Sequence, residues 1–260
     1  MDSQAVIILS NDASRDLWVP FVSNFKKEWP QCPYTLYFVT NLESFNPEGF
    51  INIKTGLRLK WTSDWASSYR AALNQINEEF LLVLLDDFLI RNPDMKVIKQ
   101  AFQELNSQNI DCIHLKNDPR IIIPEDKLVA IYPDDHPYQA HLAAFWRKKT
   151  LLQLLADGEN PWDFEVQGSK RLGRIGVAAA LRHDCFNYIG LVEKGEWVKN
   201  INQLINRHSL NLDLEARPKQ SRYSLKPSLK RFWFNMVMNY VPYKLRIKLS
   251  DAVKRGLASY

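Results

Sequence analysis

The run FLLVLLDDFLI, residues 80–90, limits what this chain can fold into more than any other stretch. Its unbroken Leu/Val half suits a strand buried on both faces, and such strands belong to parallel sheets covered by helices. Two adjacent carboxylates, Asp86 and Asp87, follow at its carboxyl end, where open α/β sheets bind their ligands. An ordinary turn cap or a solvated strand end is the competing reading.

The surrounding segments alternate in type. AVIILS (5–10) and TLYFVT (35–40) read as strands, joined by a helix over 15–28 whose Leu17, Phe21 and Phe25 recur at helical spacing. INIK (51–54) reads as a short strand. In KWTSDWASSYRAALNQINEEF, Ser63 or Asp64 is placed to cap a helix that runs through Tyr69, Leu73 and Ile76 into the 80–90 strand. MKVIKQAFQELNSQ then predicts a helix and IDCIHLK (110–116) a strand. WRKKTLLQLLADGENPWDFE predicts a helix that stops at Gly158 and restarts near Pro161, because Gly ends helices well and Pro suits a first turn. Such alternation predicts a parallel or mixed sheet covered on both faces.

A chain of 260 residues, 46% of them hydrophobic, is long enough for one large α/β domain with an appendage. Cys32, Cys112 and Cys185 are far apart and form no CxxC pair, which predicts free thiols in a reducing compartment and excludes a zinc ribbon. The start, MDSQAVIILSND, lacks a basic n-region, and no run reaches the roughly 18 apolar residues of a spanning helix. A cytoplasmic protein is expected. The net charge of +5 is unevenly spread: from Pro218 to Tyr260 ten Lys/Arg stand against one acid, while the rest carries 24 against 28. The boundary is expected near residue 215, with a domain over 1–215 and a basic amphipathic helical segment over 216–260.

Strand alternation sends the two acids to opposite faces, so one can meet a ribose while the other stands near a divalent metal bridging phosphates. A metal there neutralises a diphosphate leaving group, the demanding part of sugar transfer from a nucleotide sugar.

With AVIILSND at the start, WTSDWASSYRAALNQINEEFLLVLLDDFLI, and QAHLAAFWRKKTLLQLLADGENPWDFEVQGSKR later, the sequence resembles bacterial glycosyltransferases of the GT-A fold, family-2-like enzymes of capsule and lipopolysaccharide synthesis, over roughly residues 5–200. The resemblance implies a Rossmann-like, nucleotide-binding mixed sheet flanked by helices. It implies that Asp86 and Asp87 correspond to the Asp-x-Asp element for nucleotide diphosphate and Mn²⁺ or Mg²⁺, with Asp87 toward the metal and Asp86 toward the ribose. Here the element reads Leu-Asp-Asp-Phe, and Phe88 stands where a further acid is usual. Asp12, Ser63 and Asp64 are the further donor contacts it implies; turn or helix capping is the alternative for Asp12 and Asp64. Gln139, His141 and Trp146 are implied to frame the acceptor. His183 is implied as a late metal ligand, against the plainer reading of an exposed histidine. The loop GLVEKGEW (190–197) corresponds to a segment that closes over donor.

Inverting transfer to a hydroxyl needs a carboxylate to take the acceptor's proton. In ENPWDFEVQGS the candidates are Glu165, then Asp163, near a helix start as in the resembling enzymes, with Trp162 as a sugar platform or a core aromatic.

The basic tail interleaves Lys/Arg with Phe232, Trp233, Phe234, Tyr240 and Tyr243, which predicts interfacial helices on an anionic membrane surface. Packing on the catalytic domain or on a homodimer partner is the alternative, and no nucleic-acid motif is present. The expectation is thus a glycosyltransferase, peripheral on the inner face of the cytoplasmic membrane, that uses a nucleotide-sugar donor and a glycan or lipid-linked acceptor. The alternatives are a nucleotidyltransferase, which normally carries a Gly-rich loop after its first strand, and a non-catalytic membrane-associated assembly protein.

Overall fold

The computed structural model describes residues 4–58, 64–118, 121–133 and 139–220. Ser63, residues 134–138 and the basic tail beyond 220 lie outside the described residues. The strands are β1 (Gln4–Leu9), β2 (Thr35–Thr40), β3 (Ile51–Lys54), β4 (Phe80–Leu85), β5 (Phe88–Arg91), β6 (Cys112–Asn117), β7 (Val129–Ile131), β8 (Ala144–Arg147), β9 (Ala178–Leu181), β10 (Asn187–Gly190), β11 (Val192–Glu193) and β12 (Glu196–Trp197). The helices are α1 (Arg15–Glu28), α2 (Trp65–Leu73), α3 (Met95–Ser107), α4 (Lys148–Leu154), α5 (Pro161–Asp163), α6 (Ser169–Ile175) and α7 (Ile201–His208).

Eight strands form the central sheet in the order β3-β2-β1-β4-β8-β6-β9-β7. β3, β2, β1 and β4 are parallel, and β8 runs antiparallel between β4 and β6. The sheet is therefore mixed. The helix expected from Trp146 onward begins slightly later than the sequence suggests: Trp146 and Arg147 end strand β8, and the helix starts at Lys148.

Side-chain alternation explains the two-sided core. Val6, Ile8, Phe80, Leu82 and Leu84 pack with Trp18, Phe21 and Phe25 of α1 and with Ile98 and Phe102 of α3. Ala5, Ile7, Leu81 and Val83 face the other way, toward Tyr69 and Leu73 of α2, Leu151 and Leu154 of α4, and Phe164 and Leu172. Every residue from Phe80 to Leu84 is fully buried. Burying each such large side chain contributes about 1.5–3 kcal/mol, so this strand is the centre of the fold.

A second, two-stranded sheet pairs β5 with β10. Asn24 of α1 fixes it, its side-chain carbonyl accepting the Ile90 N–H at 2.9 Å. Beside it Leu17, Leu89, Leu191, Trp197, Ile201 and Leu204 form a smaller core that includes α7. Among the described residues no helix is long and apolar enough to cross a membrane, and Cys32, Cys112 and Cys185 are free.

Candidate functional site

The chain winds from β1 out to β3 and then returns to place β4 on the other side of β1. The gap between the carboxyl ends of β1 and β4 is therefore the point where strand order reverses, the usual ligand crevice of an open α/β sheet. Asp86 and Asp87 sit at that point, the Asp86 N–H donating to the Leu9 carbonyl at 3.3 Å.

The two acids part as strand alternation requires. Asp86 turns toward α1, where the Ser10 hydroxyl donates to Oδ2 at 2.5 Å and itself accepts from the Trp18 indole at 2.6 Å. Asp87 lies against β10; a Cβ built on Gly190 would stand 3.9 Å from its Oδ2. Its carbonyl accepts the Leu191 N–H at 2.9 Å, so backbone bonding holds the β4–β5 turn against the end of β10. Burial and the neighbouring Asp87 charge push the Asp86 carboxyl up to about 8, with Ser10 and Arg217 opposing. Burial likewise lifts Asp87 to about 6, and Arg217 opposes that too. Two desolvated acids side by side favour a positively charged neighbour.

Arg217, at the start of the basic stretch, supplies one. Its Nε and Nη2 donate to both oxygens of Asp16, in the first turn of α1, at 2.6 and 2.7 Å, and its guanidinium lies 5.8 Å from the Trp197 ring centre. The bidentate partner and the charges of Asp86 and Asp87 raise its pKa further.

β8 is antiparallel to β4, so the segment that enters β8, residues 139–143, arrives at the same sheet edge at which β4 ends. This brings in His141. Its Nδ1 is 3.8 Å from Glu165 Oε1, and Glu165 also accepts the Leu142 N–H at 3.4 Å. Glu165 stands on a helical stretch that starts at Pro161, where the Asn160 side chain accepts the Trp162 and Asp163 N–H groups at 2.9 Å. That cap, with Pro in the first turn, is the restart the sequence predicts. Tyr188 of β10 is stacked on Phe88, the residue that follows Asp87, at 4.2 Å. Burial raises the Tyr188 phenol to about 12, and Cys185, Asp184, Glu165 and Asp87 add to the shift.

The other expected residues are distributed as follows. Asp12 accepts the N–H groups of Asn41, Leu42 and Glu43 at 2.9–3.3 Å, clasping the loop after β2 to the end of β1. Asp64 is the cap residue of α2, its carbonyl accepting the Ser68 N–H. Trp146 is 0% exposed, and its indole donates to the His141 carbonyl at 3.0 Å. Its size and apolar character put it in the core, where it supports the His141 segment instead of lining an acceptor surface. Gln139 is also buried; its carbonyl accepts from His114 Nε2 at 2.9 Å, and its amide donates to the Pro133 carbonyl. Trp162 is 56% exposed and Asp163 is exposed beside it. His183 is exposed in the connection from β9 to β10, three strands from β4, and among the described residues no three His, Cys, Asp or Glu side chains gather as a metal-binding group. The loop 190–197 is a tight hairpin of β11 and β12 with Lys194 and Gly195 at φ 55° and 82°, anchored by the fully buried Trp197.

Ser10, Tyr188 and Arg217 carry no signal in the sequence that singles them out, since each joins the site through contacts between segments far apart in the chain.

No protein-family model matches the chain, and no curated protein matches it. Among solved structures it is similar to residues 1–349 of S. aureus TarS in complex with UDP-GlcNAc, at 15% identity and TM-score 0.50, over 82% of this chain and 68% of that one. The complex of the same fragment with UDP matches at 14% identity and TM-score 0.51, over 82% and 67%. A mannosyltransferase, PcManGT from Pyrobaculum calidifontis, in complex with GDP-Man and Mn²⁺, matches at 14% identity and TM-score 0.46, over 75% and 58%. The chain has the mixed α/β, GT-A-like fold of its glycosyltransferase neighbours, with the acid pair at the strand-order reversal of the sheet.

Proposed function

We propose that this protein is a glycosyltransferase that moves a sugar from a nucleotide-sugar donor to a glycan or lipid-linked acceptor in bacterial surface polysaccharide synthesis, with inversion. One observation carries the reading: the carboxylates Asp86 and Asp87 stand where the strand order of the sheet reverses, at the sheet edge to which the antiparallel strand β8 brings His141 with Glu165 beside it. The TarS complexes, which hold UDP-GlcNAc and UDP, support a nucleotide-sugar ligand for this fold.

In this reading the donor lies over the carboxyl ends of β1 and β4. Asp87 faces the diphosphate, while Asp86, held by Ser10, shapes the ribose side. Hard oxygen donors on desolvated acids fit Mn²⁺ or Mg²⁺, with Asp87 as the protein ligand; His183, three strands from β4, stands too far away to share that ion. Such an ion supplies neutralisation of the diphosphate as it leaves. Glu165 takes the proton of the acceptor hydroxyl; the acceptor oxygen bonds to the anomeric carbon as the bond from that carbon to the diphosphate breaks. His141 and the Leu142 N–H orient the Glu165 carboxylate, and Trp162 and Asp163 flank the approach.

A nucleotidyltransferase is less well supported, because the β1 end leads through a 3₁₀ turn at Asp12–Ser14 straight into α1, without a Gly-rich phosphate loop. The proposed membrane attachment rests on the basic sequence beyond Pro218.

The test is a thermal-shift panel of UDP-, GDP-, CMP- and dTDP-sugars, with and without Mn²⁺ or Mg²⁺, on the full chain and on Asp87→Ala. Selective binding to the folded state raises Tm. One donor stabilising the wild type, with a metal-dependent part lost in Asp87→Ala, supports the transferase. If no nucleotide sugar stabilises the folded wild type, the reading fails and the assembly-protein alternative takes its place.

A further inference from the structure

Arg217 is fixed by two of its three guanidinium nitrogens. Nε and Nη2 grip Asp16, and Nη1 makes no hydrogen bond among the described residues. The backbone ties this arginine to the acid pair in short steps: the Leu191 N–H donates to the Asp87 carbonyl, the Val198 N–H to the Leu191 carbonyl, and the Trp197 N–H to the Pro218 carbonyl, at 2.9–3.1 Å. Asp16 ties it from the other side, since α1 begins just beyond the end of β1, and Ser10 at that end holds Asp86. The guanidinium charge acts on both Asp86 and Asp87, and theirs on it. A bidentate carboxylate and the flank of Trp197 pre-set the fork, so its remaining N–H groups meet an anion with little further ordering.

We infer that Arg217 is a contact for the diphosphate of the donor nucleotide, with Asp16 as its positioning residue and Nη1 as the nitrogen that donates to a phosphate oxygen. The inference rests on the donor site proposed above. It makes the residue just before the basic tail part of the binding site, and it gives the site a fixed positive charge beside its carboxylates. A diphosphate brings more negative charge to a place that already holds two acids. A fixed cation there lets nucleoside diphosphate bind in the absence of added divalent metal. Lys cannot reproduce the fork, because an ammonium gripping Asp16 has no second rigid face to present.

The experiment is calorimetric titration of the full chain with UDP, GDP, CDP and dTDP and with each matching nucleoside, with and without Mg²⁺. Wild type is compared with Arg217→Lys and with the double variant Asp16→Asn/Arg217→Gln, which replaces the ion pair by an amide pair and leaves no buried unpaired charge. Wild type is expected to bind one nucleoside diphosphate more tightly than its nucleoside, in EDTA as well as in Mg²⁺. The folded double variant is expected to lose about 10–100-fold in diphosphate affinity, the usual worth of a charge-assisted hydrogen bond, with nucleoside affinity unchanged and Arg217→Lys between the two. An unchanged ratio of diphosphate to nucleoside affinity in both variants overturns the role of Arg217 and leaves the donor site standing. A wild type that binds none of the nucleotides overturns the donor site and the role of Arg217 together.

Discussion

Ser10 joins the first strand to the acid pair: its hydroxyl donates to Asp86 Oδ2 at 2.5 Å while accepting the Trp18 indole N–H at 2.6 Å. One hydroxyl thus holds a carboxylate from the end of β4 and a core aromatic of α1 at the carboxyl edge of the sheet. Ser10→Ala removes the acceptor of one group and the donor of the other. Leaving such partly buried groups unpaired costs about 1–3 kcal/mol, expected as a lower midpoint in urea unfolding with an unchanged slope. A midpoint equal to wild type would show that water replaces the hydroxyl.

Asp86, raised to about 8 by burial and by Asp87, makes the fold sensitive to pH. A carboxyl whose folded pKa lies above its unfolded value of about 3.9 contributes stability that is present in full below the unfolded value and lost as pH rises toward the folded one. Asp87, raised to about 6, acts in the same sense over a narrower window. The Tm of wild type relative to Asp86→Asn is therefore expected to fall as pH rises from about 5 to about 8.5. Mg²⁺ or Mn²⁺ should raise the wild-type Tm more at about pH 8 than at about pH 5, because the cation pairs with the ionised form. Parallel curves for the two proteins would count against the desolvated carboxyl.

Glu165 and Asp163 stand two residues apart with different surroundings: Glu165 is half-buried beside His141, and Asp163 is exposed. Glu165→Gln is expected to slow sugar transfer about 10²–10⁴-fold, the usual contribution of a general base, without altering the donor-induced rise in Tm. Asp163→Asn should change the rate by less than about tenfold, since an exposed acid lacks a positioned partner. The opposite ranking would move the base to Asp163.

Asp12 is used by backbone N–H groups of residues 41–43. Removing it in Asp12→Ala should destabilise the fold by about 2–3 kcal/mol, as expected for hydrogen bonds to a charged acceptor, with Asp12→Asn recovering part of the loss. Chemical denaturation measures this directly. A stable Asp12→Ala protein that no longer binds donor would instead make Asp12 a ligand contact.

Helix α1 and strand β2 follow their sequence patterns residue for residue, because apolar spacing is a local property that burial then enforces. The double acid at the end of β4 was legible for the same reason: a buried run that stops at two carboxylates marks a strand end by itself. The Pro161 restart was legible too, since Asn160 and Pro161 act on their own neighbours. The sequence by itself thus determined the alternating α/β elements, a buried central strand and the acids at its end. Only the tertiary structure decided that β8 runs antiparallel beside β4 and carries His141 to that edge. It alone turned Asp86 onto Ser10 and stacked Tyr188 on Phe88, the residue after Asp87. It set Arg217, 201 positions along the chain from Asp16, where its charge acts on both acids. Periodicity reports which face of an element is buried; which elements meet is settled by packing and backbone pairing between distant segments, and no local pattern encodes that.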